Sequence, residues 1–175
     1  NNDITLNGPP NTLRTFWGTK NRSISFDAAD TNLTVSGVTD SSASGSFTFS
    51  CWISGIANSH YMDISLGEFN VKIEDDTINL FHTSVSNNLV NTPQQNVNGE
   101  WSNLLLRYNG AKQILNLFLN GDEKALSLTP SFNNVGSKDL KFNFLTGGAK
   151  VYENILLDEV MVYNRALTDS EIGHL

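Results

Sequence analysis

Apolar and polar residues alternate along this chain in short runs, separated by turns rich in Asn and Gly. The clearest run is Phe47 to Ser54. There Phe47, Phe49, Cys51 and Ile53 fall on one face of a strand, with Thr48, Ser50, Trp52 and Ser54 on the other. Shorter runs predict strands at Ile4 to Leu6, Ser23 to Phe26 and Leu33 to Val35. Met62 to Leu66, Phe69 to Ile73 and Thr77 to Thr83 read as a meander, turned at Gly67 and at Glu74-Asp75-Asp76. Trp101 to Tyr108 and Ile114 to Asn120 predict a hairpin across Asn109-Gly110. Asn120-Gly121 predicts a second turn, leading into Lys124 to Leu128, and Leu140 to Leu145 adds a further strand. Asn87 to Asn98 is polar and interrupted by Pro93, so it reads as an unpaired loop, as does the stretch after Pro10. Strands at fairly even spacing, with almost no helix, point to an antiparallel sandwich.

The closing stretch, Asn154 to Leu175, is the most specific. Alternation puts Leu156, Val160 and Val162 on one face and Leu157, Met161 and Tyr163 on the other, a strand apolar enough to be buried on both sides. The same alternation sends the adjacent acids Asp158 and Glu159 to opposite faces, and a buried carboxylate needs N–H donors, a cation or a metal. Thr168 with Glu171 three residues on fits a capping box that opens one short helical turn.

This run, LLDEVMVYNRALTDSEI, resembles the closing strand of the laminin-G-like, concanavalin-A-like jelly rolls. SISFDAADTNLTVSG (Ser23 to Gly37), GSFTFSCWISG (Gly45 to Gly55) and NGEWSNLLLRYNGAKQILNLFLNG (Asn98 to Gly121) follow in the order that family uses, and ITLNGPP is similar to its early strand and turn. The resemblance implies an all-β, two-sheet antiparallel jelly-roll sandwich over residues 1–175, one domain. The abrupt start at Asn1-Asn2-Asp3 leads to the expectation that it is cut from a longer chain.

Charge narrows the function. The chain has 175 residues, 11 basic and 18 acidic, a formal net charge of -7, and shows no basic cluster. That disfavours nucleic acid and anionic membrane surfaces as partners. No run is long and apolar enough for membrane insertion. Cys51, the single cysteine, permits no intrachain disulfide and reads as a small buried hydrophobe.

Candidate chemistry is sparse. Glycoside hydrolases on this sandwich place catalytic acids two apart on one strand, but Asp158 and Glu159 are adjacent and Glu68 has no acid at that interval. His60, His82 and His174 do not make a zinc spacing. The expected role is therefore non-catalytic. For a structural calcium ion, as related jelly rolls carry, the oxygen donors on offer are Asp3, Asp27, Asp30 and Asp158. Equally, Asp27 and Asp30 are suited to bonding their own turn, and Asp158 to accepting backbone N–H groups. For a ligand, loop-borne aromatics and amides suit sugar rings and hydroxyls. Trp17, His60, Tyr61, Asn87, Asn88 and Gln94 are the candidates, and solvated turns are the competing account of them. Trp52 and Trp101 fall where the family has structural tryptophans. Asn21-Arg22-Ser23 and Asn32-Leu33-Thr34 match the glycosylation pattern, as chance allows in so Asn-rich a chain.

The family resemblance makes carbohydrate or a surface glycan the leading partner, on an extracellular, cell-surface or virion-surface parent. The alternative is a structural or decoration domain that contacts neighbouring protein subunits in a secreted or phage assembly.

Overall fold

Each short run buries one face and leaves its backbone polar groups to be paired by neighbouring strands, so the runs stack edge to edge into sheets. The computed structural model describes residues 4–7, 13–14, 23–26, 32–36, 46–54, 61–74, 77–82, 85–92, 101–124, 139–143 and 155–175. In chain order the described strands are β1 (Ile4–Asn7), β2 (Leu13–Arg14), β3 (Ser23–Phe26), β4 (Asn32–Val35), β5 (Phe47–Ser54), β6 (Tyr61–Leu66) and β7 (Phe69–Glu74). They continue as β8 (Thr77–His82), β9 (Val85–Thr92), β10 (Ser102–Asn109), β11 (Ile114–Leu119), β12 (Asp122–Lys124), β13 (Leu140–Asn143), β14 (Ile155–Tyr163) and the short helix α1 (Asp169–Ile172).

Two seven-stranded antiparallel sheets result among the described residues. The first runs β1-β4-β13-β6-β7-β8-β9 and the second β12-β11-β10-β5-β14-β3-β2. Non-consecutive neighbours such as β5 and β14 tie the two ends of the chain into one sheet. Between the layers lie the inward residues of both: Phe47, Phe49 and Ile53 from β5 meet Ile64, Val71 and Phe142 from the first sheet. An aromatic cluster bridges them. Phe69 of the first sheet lies 5.4 Å from Phe47 and 5.5 Å from Tyr108 of the second, at tilted or edge-on angles that suit the ring quadrupoles. Cys51 is fully buried in this core, and desolvation pushes its thiol pKa up, so it is the inert hydrophobe expected.

The closing segment is an interior strand, with β5 on one side and β3 on the other. Its faces depart from plain alternation. Leu157 and Val162 pair with Ile53 and Phe49, whose side chains fill the core. Leu156, Asp158, Met161 and Tyr163 pair with Ser54, Trp52, Ser50 and Thr48 on the outward side. Between Asp158 and Met161 the register shifts by one residue, and Glu159 takes a φ of 47°. This bulge moves every later side chain to the other face. Met161 and Tyr163 therefore do not share a face with Leu157, and the acid pair is not divided by alternation alone. Asp158 turns onto the outer face, where it is buried, and Glu159 is pushed into solvent.

Among the turns and edges, Asn120-Gly121 is the two-residue turn predicted, both residues at positive φ (52° and 81°) as a type I′ hairpin requires. Asn109-Gly110 is not. Asn109 pairs with Ile114 across a four-residue loop, in which Asn109 Oδ1 accepts the Lys112 N–H at 3.0 Å and Gln113 takes the positive φ. Asn87 to Thr92, read as unpaired, lies in β9, which ladders onto β8 at the sheet edge. Backbone pairing there overrides the poor strand propensity of Asn. Leu13–Arg14, read as loop, pairs with β3, and β12 starts two residues before Lys124. No helix among the described residues is long and apolar enough to cross a membrane.

Candidate functional site

After β14 the chain doubles back over the outer face of the second sheet. Thr168 caps α1 by accepting the Glu171 N–H at 3.3 Å, while Glu171 Oε2 accepts the Thr168 N–H at 2.8 Å, so the predicted capping box is complete. Arg165 closes the loop with two bonds to the Glu171 carboxylate, at 2.9 and 2.6 Å. Those bonds, and then the Thr168 N–H and hydroxyl, hold the Glu171 pKa down at about 2. Leu167 and Ile172 bury against Leu105 and Phe118, which face outward from β10 and β11, with Tyr163 and Leu175 packed beside them. This second, smaller cluster fixes the segment 164–175, the C-terminal strap, to the sheet.

Between the strap and the β10–β11 loop lies a cleft of about 360 Å³, lined by Arg107, Asn109, Lys112, Ile114, Asn116 and Asp169 together with the strap backbone. Arg107 organises it. On β10 it stands two residues from the outward-facing Leu105, on the same face, so it leaves the sheet outward, and its guanidinium stacks 5.2 Å above the Phe118 ring. Nη1 donates to Leu167 O at 3.0 Å and to Asp169 Oδ1 at 2.5 Å, and Nε donates to Asn116 Oδ1 at 3.1 Å. Asn116 in turn donates to Glu123 on β12. Arg107 is only 14 % exposed and Asp169 is 89 % exposed, so the carboxylate reaches in from solvent to a largely desolvated cation. Ile114, at 42 % exposure, is the large apolar residue left open among the described residues, and it stands on this rim.

Chemically the cleft offers two cations, two amides and one carboxylate beside an apolar rim. Asp169 is the single carboxylate among its lining residues, so the two-carboxylate arrangement of a glycosidase is not built there. Among the described residues no three His, Cys, Asp or Glu side chains come together as a metal cage.

The residues singled out from the sequence fall elsewhere. Trp17, His60, Gln94, Asp3, Asp27 and Asp30 lie outside the described residues. Tyr61 opens β6, and Asn87 and Asn88 lie in β9. The first sheet's order sets β7 and β8 between them, a separation of about 14 Å across the sheet. Asp158 faces outward beside Trp52, and its Oδ1 accepts the Glu159 N–H at 2.8 Å within the bulge. The cleft residues were missed in the sequence, though Arg107, a lone cation inside the apolar run Leu104 to Tyr108, was a signal.

The fold and this surface define a two-layer β-sandwich with a strapped outer face and an open polar cleft. The chain belongs to the concanavalin A-like lectin/glucanase superfamily, whose family profile matches residues 27–173. No curated protein matches it as a relative. Among solved structures it is similar to the binding domain of botulinum neurotoxin serotype D, with a TM-score of 0.75 at 11% identity over 99% of this chain and 46% of that one. It is likewise similar to the serotype D ligand-binding domain in complex with N-acetylneuraminic acid, with a TM-score of 0.72 at 12% identity, covering 99% and 45%. A third is the binding domain of botulinum neurotoxin DC in complex with rat synaptotagmin II, with a TM-score of 0.67 at 12% identity, covering 99% and 46%. The chain spans less than half the length of these structures, and at such identities the likeness is one of fold.

Proposed function

We propose that this chain is a non-catalytic recognition module whose ligand is a carbohydrate, displayed on an extracellular, cell-surface or virion-surface parent. The observation that carries the reading is the lectin/glucanase family match over residues 27–173. That class divides between binding and hydrolysis, and the cleft, with one carboxylate, favours binding. The serotype D domain solved with N-acetylneuraminic acid lends the same fold a sugar ligand. Single-site affinity would be modest, and several copies in a parent assembly would supply avidity. A structural calcium ion, held by oxygens from Asp3, Asp27, Asp30 and Asp158, belongs to the same proposal.

A glycan array screened with the 175-residue chain, with calcium and with a chelator, tests it. Binding to a defined glycan set supports the module, and loss of that binding in chelator supports the ion. A blank array under both conditions would transfer the weight to the second reading, a decoration domain that contacts protein subunits. The observation favouring that reading is β9, an eight-residue strand at the margin of the first sheet, whose outer side no described strand covers. The same fold in complex with rat synaptotagmin II is an instance with a protein partner.

A further inference from the structure

The geometry points to the strap cleft as the sugar site, and to a sugar bearing an anionic group, a carboxylate or a sulfate or phosphate ester, as its ligand. This rests on the carbohydrate reading above and adds a place and a charge to it.

The inference comes from what the lining groups leave unused. Arg107 engages Nε and Nη1, so Nη2 has no partner among the described residues. Lys112 uses only its backbone N–H, leaving the ammonium without one. Asn109 accepts through Oδ1, so its Nδ2 is also open. Against these three donors stands one open side-chain carboxylate oxygen, the second oxygen of Asp169, whose Oδ1 is engaged by Arg107. The cleft therefore has an excess of donors, two of them cationic.

A neutral hydroxyl meets such donors as an acceptor but brings its own hydrogen into the same space. An acceptor-only anion satisfies both cations at once, with the shorter and stronger bonds of charged pairs. Asp169 is left to take a ring hydroxyl, and Ile114 offers an apolar contact to the ring's C–H face. The volume, about 360 Å³, lies at the small end of ligand sites and suits one sugar residue. The net charge of -7 repels anions from most of the surface, so this cleft, with two cations against the single carboxylate of Asp169, is a local exception.

The test is an array that pairs each neutral glycan with its carboxylated or sulfated counterpart. It is probed with the wild-type chain, with Lys112→Glu and with Lys141→Glu. The Lys112 side chain is exposed and makes no bond among the described residues, and the bond to Asn109 Oδ1 comes from the backbone N–H, so replacing the side chain leaves the fold intact. Lys141, exposed on the first sheet, controls for a general change of charge. Acidic glycans are expected to dominate the hits, to weaken about tenfold in Lys112→Glu, and to hold in Lys141→Glu. Hits that are neutral, or acidic hits equally affected by the two variants, overturn the cleft assignment and leave the carbohydrate module standing. A blank array overturns both.

Discussion

The buried hydroxyl of Thr48 on β5 accepts the N–H of Leu167 at 2.9 Å and donates, in the same breath of structure, to the carbonyl of Arg165 at 2.9 Å. One side chain on the sheet thus satisfies two backbone groups of the strap, which has no ladder of its own at that point. Replacing it with Val keeps the shape and strands both groups. Thr48→Val is expected to cost about 2–6 kcal/mol, at about 1–3 kcal/mol for each unsatisfied group, whereas Thr48→Ser should cost far less. Urea midpoints at unchanged slope check this, and equal losses in the two variants would mean that the hydroxyl is not what holds the strap.

Asp63 carries the opposite situation. It is 8 % exposed on β6, its Oδ2 meets the Asn70 amide at a long 3.4 Å, and Oδ1 of each residue has no partner. Burial raises its pKa, and the Lys72 ammonium only partly offsets that. A proton on Asp63 turns one orphan acceptor into a donor. Because the folded pKa lies above the unfolded value of about 3.9, the contribution is complete below that value and is lost as pH rises through the folded pKa. Asp63→Asn is expected to raise stability at neutral pH and to flatten this part of the pH profile. Denaturation followed from about pH 4 to pH 7 reads it, and an unchanged profile refutes the upward shift of the Asp63 pKa.

Glu171 titrates with the other sign. Held at about pKa 2 by Arg165 and the capping Thr168, it contributes stability above its unfolded value of about 4.3, lost as pH falls through about 2. The strap is therefore expected to loosen only in strong acid. In Arg165→Ala the Glu171 carboxyl should titrate closer to the ordinary range, read by carbon-detected NMR of that side chain. A titration that stays near 2 would assign the depression to the cap alone.

Glu159 is the strained residue of β14. An L side chain at φ 47° costs about 1–2 kcal/mol relative to the favoured regions. Glycine carries no such penalty. Glu159→Gly is expected to stabilise the chain by about 0.5–1 kcal/mol, and Glu159→Ile, β-branched, to destabilise it. A stability loss in the glycine variant would show that the glutamate side chain itself supports the bulge.

Most of the sandwich was readable in the sequence, because strand faces are local properties. The alternation in Phe47 to Ser54, the Asn120-Gly121 turn and the Thr168–Glu171 cap each rest on residues a few positions apart. Their geometry is fixed by period, positive φ or one short hydrogen bond. The interior position of the closing strand was legible for a related reason, since its apolar residues on both faces fit no exposed edge. What the tertiary structure decided is what depends on residues far apart. The bulge at Glu159 arises where β14 must stay in register with β5 over its whole length, and it reassigned Met161 and Tyr163 to the outer face. The pairing of β9 depends on β8 offering its backbone edge, which no count of Asn residues reports. The cleft exists because Arg107 and Asp169, 62 positions apart, meet over Phe118 once the strap folds back. Such a meeting is fixed by the three-dimensional path of the chain, to which the local hydrophobic period is blind.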